Sequence, residues 1–218
     1  MKTDYKNYYK DHYKINFTEA DIDSWNKWFD AQWRIISKKI VIKKNMKVLE
    51  IGPGFGGFYD RIKDVPGLKY TGLDLDPKIV SFTNKHFKTD VFKYDSIENL
   101  NTKDKFDLIV AFEVLEHIEA PGDVIDTVAS LLKPKGVFCG STPYPFTKNI
   151  VSDETHISVL HPQNWARLFR RAGFRKVTVE AMSFAPFAWR VHKKLNLRIP
   201  MYVKIKGFVS TTLIVATK

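Results

Sequence analysis

The chain has 218 residues, 44% of them hydrophobic and 14% aromatic, which suits one large globular domain with a full core and excludes a disordered chain. Its formal net charge of +11 is concentrated at one end: from His161 onward 12 Lys or Arg face a single acid, Glu180, while the first 160 residues carry 23 charges of each sign. One cysteine, Cys139, excludes an internal disulfide, and the lack of an 18-residue apolar run or a signal-peptide pattern makes cytoplasmic residence the expectation.

Residues 1–45 read as an aromatic, helical N-terminal extension. Tyr5, Tyr8, Tyr9 and Tyr13 are placed where they could form a lid. A helix is predicted from near Thr18, with Thr18 and Asp21 spaced as a capping box. Trp25, Trp28, Phe29, Trp33, Ile36 and Ile40 follow at helical spacing, the pattern of a stripe packed on a core.

From residue 46 the pattern changes to short apolar runs. Val48-Leu49-Glu50-Ile51 reads as a buried strand that breaks into Gly52-Pro53-Gly54-Phe55-Gly56-Gly57. Glycines here let a backbone approach a ligand closely, and a helix predicted over about Phe55–Lys63 would aim its first amides at that ligand. Tyr70-Thr71-Gly72-Leu73 is a second strand, and Asp74 at its tip lies 22 residues after Gly52. An acid there accepts hydrogen bonds from ribose hydroxyls in nucleotide-binding α/β units. Val91–Tyr94 is a third strand followed by Asp95, whose carboxylate suits an adenine amino group. Glu50 is unusual at a strand end that dinucleotide folds keep apolar; it suits a ligand bearing an ammonium group.

Phe106–Phe112 is a continuous apolar strand followed by Glu113, Glu116 and His117. If Glu113 opens a helical turn, these three fall at i, i+3 and i+4 on one face, good ligands for a divalent ion. A helix over Asp123–Leu132, a strand over Gly136–Ser141 holding Cys139, and a rigid Thr142-Pro143-Tyr144-Pro145 turn come next. His156 sits on the following loop, and a helix is predicted over Pro162–Ala172 with Gly173 past its end. Val177–Ala181 and Val209–Ala216 are the last two strands, an antiparallel pair. Between them, residues 184–207 form a basic insertion in which Phe184, Phe187, Ala188, Val191 and Leu195 share a helical face. It reads as a helix on an anionic membrane surface, a cap over a pocket, or a packed insertion.

Taken in order, Glu50-Ile51-Gly52-Pro53-Gly54-Phe55-Gly56, Gly72-Leu73-Asp74, Tyr94-Asp95, Phe106–Val110, Glu113–Ile118, Leu131–Gly136 and Ala172-Gly173-Phe174 resemble a class I S-adenosylmethionine-dependent methyltransferase. The resemblance implies an α/β, Rossmann-like seven-stranded sheet with a reversed last strand and helices on both faces, over 46–218. It implies S-adenosylmethionine as cofactor, held by Glu50, Gly52, Gly54, Gly56, Asp74, Leu75, Asp95 and Glu113. The Glu-x-x-Glu-His set with a later His is similar to the metal site of small-RNA 2′-O-methyltransferases, and a like motif occurs in ubiquinone-biosynthesis O-methyltransferases. Carried over, the metal ligands are Glu113, Glu116, His117 and His156, for Mg or Mn. Without a metal, His117, His156 and Glu116 are the candidates for acid–base work.

The leading expectation is O-methylation of a small-molecule, sugar or lipid-linked hydroxyl. The basic C-terminal part points to an anionic membrane surface, so peripheral membrane association, or to an anionic substrate. RNA is a second acceptor class, although Ile157-Ser158-Val159-Leu160-His161 departs from the aromatic, His-rich stretch of the RNA enzymes. A non-catalytic nucleoside-binding partner is a third reading; such a relative would lose the glycine turn or the acid after strand two, and this chain keeps both. A nicotinamide oxidoreductase is disfavoured by the glycine spacing.

Overall fold

The computed structural model describes residues 19–145, 154–185, 199–201 and 209–218. Among these residues, eight strands form a single mixed sheet in the order β3-β2-β1-β4-β5-β8-β6-β7. They are β1 (Lys47–Ile51), β2 (Lys69–Asp74), β3 (Phe92–Tyr94), β4 (Phe106–Phe112), β5 (Leu132–Pro143), β6 (Lys176–Ala185), β7 (Ile199–Met201) and β8 (Thr211–Thr217). β3, β2, β1, β4 and β5 are mutually parallel, and β8 enters antiparallel between β5 and β6. Seven strands make the expected Rossmann-like sheet with its reversed last strand. The eighth, β7, arises because β6 runs on past Ala181 and pairs Ser183, Phe184 and Ala185 with Met201, Pro200 and Ile199.

β4 shows why the sheet forms. Leu108, Val110 and Phe112 face one apolar cluster, and Ile109 and Ala111 face the other, all buried. A strand buried on both faces has no polar alternation, hence its continuous apolar reading. Each fully buried aliphatic side chain contributes about 1.5–3 kcal/mol. Helices α4 (Pro121–Leu131) and α5 (Pro162–Arg171) cover one face through Val124, Ile125, Val128, Trp165 and Phe169. Helices α1 (Glu19–Ile36) and α2 (Gly57–Ile62) cover the other through Phe29, Ile35, Ile36, Phe58 and Ile62. Cys139 is fully buried in β5, and burial pushes its thiol up to about 12, as expected of a packing residue.

α1 crosses the carboxyl end of the sheet. Phe29 packs on Phe58 and Phe112, Gln32 meets Ser141 of β5, and Lys39 just beyond the helix reaches Glu180 of β6 at 2.7 Å. Phe29, Ile36 and Ile40 of the predicted stripe are buried and Trp33 is half-buried, whereas Trp25 is 53% exposed. Helix α3 (Pro77–Phe87) was not expected from periodicity, because only Thr83 along it is buried. Its signal is local: Asp76 accepts from the Lys78 amide at 2.8 Å, with Pro77 in the first turn. The predicted tyrosine lid, the Thr18 cap and, apart from β6 and β7 residues, the insertion 184–207 lie outside the described residues. Among the described residues no helix is long and apolar enough to cross a membrane.

Candidate active site

The glycine turn leaves the carboxyl end of β1 beside β2. Gly52 has φ 64° and its N–H donates to the Leu73 carbonyl at 2.8 Å. A Cβ there would lie 2.5 Å from Val114 Cγ2, so the turn packs directly on the residue after Glu113. Gly54 has φ 52° with open space where a Cβ would project, the cradle expected beneath a bound nucleoside. Gly56, also at positive φ, precedes α2, which is shorter than its predicted span.

Asp74 ends β2 at this turn and is half-buried. Its Oδ2 accepts from the Gly54 amide at 3.2 Å and its Oδ1 from the Asp76 amide at 3.0 Å. Burial pushes its carboxyl up to about 6, opposed by those amide hydrogen bonds. Each carboxylate oxygen keeps a further lone pair, so ribose hydroxyls can still donate to it. Leu75 follows, half-buried, between Asp74 and the helix-capping Asp76. Asp95 stands one strand further out: its amide donates to the Asp74 carbonyl at 3.2 Å and its Oδ1 accepts from Ser96 at 2.9 Å. Asp74, Leu75 and Asp95 thus converge on one edge of the glycine turn, with the ends of β2 and β3 in register as Asp74 against Tyr94.

Glu50 is placed differently. It is 3% exposed and accepts a short hydrogen bond from the Tyr70 hydroxyl. Burial raises its carboxyl to about 8, the Tyr70 bond opposing and the Asp74 charge adding. Glu50 is therefore mostly an uncharged acid at neutral pH, turned onto Tyr70. Burial likewise holds the Tyr70 phenol well above its usual range, so it stays a donor. Tyr70 carried no separate signal in the sequence; it alternates as any inward strand residue does.

Beyond β4 the chain does not enter the helical turn that would set Glu113, Glu116 and His117 on one face. Glu113 adopts a left-handed backbone, φ 54°, its amide donating to the Ser141 carbonyl at 2.8 Å. A single 3₁₀ turn then spans Leu115–His117. The reversal at Glu113 sends its side chain toward Gln32 and Ser141, while burial raises its carboxyl to about 7 against their opposing pull. Glu116, fully buried, joins His117 and His156 instead, with one ligand atom from each of the three lying within 4.8 Å of the others. His117 Nδ1 is 3.1 Å from the Thr155 carbonyl, so Nδ1 carries the proton donated to it, and Nε2 lies 4.0 Å from Glu116 Oε1. The Ser158 amide donates to the Glu116 carbonyl at 2.8 Å, tying the His156 loop onto the 3₁₀ turn. The imidazoles of His117 and His156 lie 4.9 Å apart, centroid to centroid.

The cluster follows the carboxyl end of β4 in sequence and is completed by the loop after β5. Thr142 and Pro143, expected in a rigid turn, instead continue β5 and pair with Thr212 and Thr211 of β8; Thr142 is buried, and the Tyr144 amide donates to the Ser210 carbonyl at 2.9 Å. One carboxylate and two imidazoles at this separation fit a first-row divalent ion, and equally suit a hydrogen-bonded acid–base relay.

Comparison with known proteins identifies the family. Residues 25–179 match the model of a methyltransferase domain family. A ubiquinone biosynthesis O-methyltransferase of Xanthomonas euvesicatoria pv. vesicatoria is 27% identical over 221 residues, covering 84% of this chain and 91% of that protein. Among solved structures, a SAM-dependent methyltransferase from Archaeoglobus fulgidus superposes with a TM-score of 0.69 at 22% identity, covering 88% of this chain and 94% of that one. Haemonchus contortus phosphoethanolamine N-methyltransferase 2 gives a TM-score of 0.73 at 16% identity, over 98% of this chain and 60% of that one. The two structures share the fold. With the family model spanning most of the chain and the glycine turn, Asp74 and Asp95 gathered at one strand edge, the protein belongs to the methyltransferase domain family and is a class I S-adenosylmethionine-dependent methyltransferase.

Proposed function

We propose that the chain methylates a hydroxyl oxygen of a small or lipid-linked acceptor bound against Glu116, His117 and His156. The observation that carries this reading is the convergence of those three side chains just beyond the end of β4. A sulfonium donor is already activated, so in-line transfer asks the protein to align the nucleophile and exclude water. An alcohol or phenol must also lose its proton, and an imidazole beside a carboxylate is the side-chain pair suited to take it. The relatives named as ubiquinone biosynthesis O-methyltransferases support oxygen as the methylated atom.

Glu116, His117 and His156 would also hold a divalent cation, with Glu113 set apart from them on Gln32 and Ser141. Such an ion, when bound, would lower the pKa of an acceptor hydroxyl. His117 is oriented for either role by its Nδ1 contact with Thr155. The excess positive charge after His161 favours an acceptor or a surface that carries negative charge.

The test is a calorimetric titration of manganese into protein saturated with S-adenosylhomocysteine, beside His156→Ala, followed by methyl-transfer assays on phenols, catechols and sugar alcohols. Micromolar binding lost in the variant establishes the ion. No binding in either protein, with transfer to a phenol retained by wild type and lost in His156→Ala, assigns the imidazoles to proton removal. Transfer only to nitrogen acceptors would sink the oxygen reading.

A further inference from the structure

The end of the sheet away from the glycine turn holds a cavity of about 210 Å³ at the amino ends of β1, β2 and β4. Lys47, Lys69 and Asp104 line it with charge, Thr71 and Thr102 with hydroxyls, and Leu100 and Phe106 with apolar surface.

Lys47 and Lys69 are the first residues of β1 and β2 and are direct partners in the parallel register. Their side chains therefore leave the same face of the sheet, with the next pair along it, Leu49 and Thr71. Two like charges at paired positions repel each other. Lys47 is offset by Asp104, Nζ to Oδ1 at 2.8 Å, and that hydrogen bond holds the Asp104 carboxyl below the usual range, with Lys69 and Lys133 adding. Asp107, which accepts from the Lys47 amide, is paired with Lys133 at 2.8 Å. Among the described residues no acid forms an ion pair with Lys69.

Two ammonium groups against one carboxylate leave a single positive charge at the cavity. Thr102 Oγ1 accepts from the Asp104 amide at 3.0 Å, so its own hydrogen is left to donate. Leu100 and Phe106 belong to the apolar cluster beneath this face. A cation and a hydroxyl beside an apolar wall match an anion of one charge with a carbon body. A dianion would exceed the available charge and leave the wall unused. The cavity is smaller than the about 300–1,000 Å³ of pockets for drug-sized ligands, so its ligand is small.

We infer that this cavity binds a small organic monocarboxylate, its carboxylate on Lys69 and Thr102 and its carbon body against Leu100 and Phe106. The site is distinct from the methyl-transfer site: β1 and β2 carry Lys47 and Lys69 at one end and lead to Gly52 and Asp74 at the other.

The test is amide NMR of the full chain titrated with benzoate, benzamide and inorganic phosphate. Benzoate should shift the Thr71, Thr102 and Asp104 amides saturably and leave those of Gly54 and Asp74 in place. Benzamide, its uncharged isostere, should bind at least about tenfold more weakly, and so should phosphate. Lys69→Met, a change at an exposed side chain, should weaken benzoate by a similar factor. The comparison of benzoate with benzamide needs wild type alone. Equal binding of benzamide, or unchanged binding in Lys69→Met, overturns recognition by charge. Phosphate binding as tightly as benzoate overturns the monocarboxylate. Absence of saturable shifts at these amides up to the solubility of benzoate overturns the site.

Discussion

Between Gly52 and Asp95 the donor side of the site comes from one continuous stretch of chain, passing through β1, β2 and β3. The acceptor side proposed above draws Glu116 and His117 from the turn after β4 and His156 from the loop after β5, joined by the Ser158–Glu116 and His117–Thr155 hydrogen bonds. The donor side is shaped mainly by backbone, with positive φ at Gly52 and Gly54 and two amides on Asp74. The acceptor side is shaped by side chains meeting across 40 residues of sequence. A backbone cradle is written in local residue types, so it can be shared widely; a side-chain cluster depends on how a loop lies and can change with each acceptor. Glu113, followed by Val114 on the glycine turn and by the 3₁₀ turn that carries Glu116, stands at the border between the two.

The strongest way to break this division is Glu116→Ala. It should lower turnover by about 10²–10⁴-fold, the range for loss of acid–base function. S-adenosylhomocysteine affinity should stay within about twofold of wild type if the two sides are separable. Comparable losses in both, read by steady-state kinetics and calorimetry, would show one coupled site instead.

Asp74→Ala tests the donor side. It removes a carboxylate that ribose hydroxyls would share with the Gly54 and Asp76 amides, and should weaken S-adenosylhomocysteine binding by roughly 1.5–3 kcal/mol. Unchanged affinity would remove Asp74 from the donor set. Gly52→Ala should cost about 1–3 kcal/mol of stability in denaturant unfolding, because an L side chain at φ 64° is strained and its Cβ would meet Val114 at 2.5 Å. The Val114 contact makes Gly52→Ala a probe of the border: displacing Val114 should also perturb Glu113.

The last prediction concerns pH. Glu50 rises from an ordinary 4.5 to about 8 in the folded chain. Between those values the folded state keeps a proton that the unfolded state has released. Its contribution to stability is therefore fully present below pH 4.5 and is lost as pH rises through about 8. Glu50→Gln keeps the Tyr70 hydrogen bond and should flatten that part of the melting profile between pH 5 and 8. A profile identical to wild type would mean that Glu50 is ionised in the fold.

The sheet was legible because its signals are local or periodic. β4 was read over Phe106–Phe112, the span observed, since a doubly buried strand admits only apolar residues. The antiparallel pairing of β6 with β8 followed from the family resemblance. α3 was missed because its apolar face is shallow, although Asp76-Pro77 marked its start. Gln32 was missed because one polar residue inside an apolar stripe has no partner visible in sequence; Ser141 lies 109 positions away.

By itself the sequence determined the donor cradle: glycine at positions of positive φ, an acid at each of two strand tips, and apolar runs that can only be buried strands. Those requirements are set by the backbone and by periodicity, and neither needs distant residues to be known. The tertiary structure alone decided which charged groups meet. The left-handed turn at Glu113 parted it from Glu116 and His117, burial raised the Glu50 carboxyl while Tyr70 took its hydrogen bond, and the loop after β5 brought His156 to the cluster. Side-chain direction and desolvation depend on the packed surroundings, and those exist only once the sheet and α1 have come together.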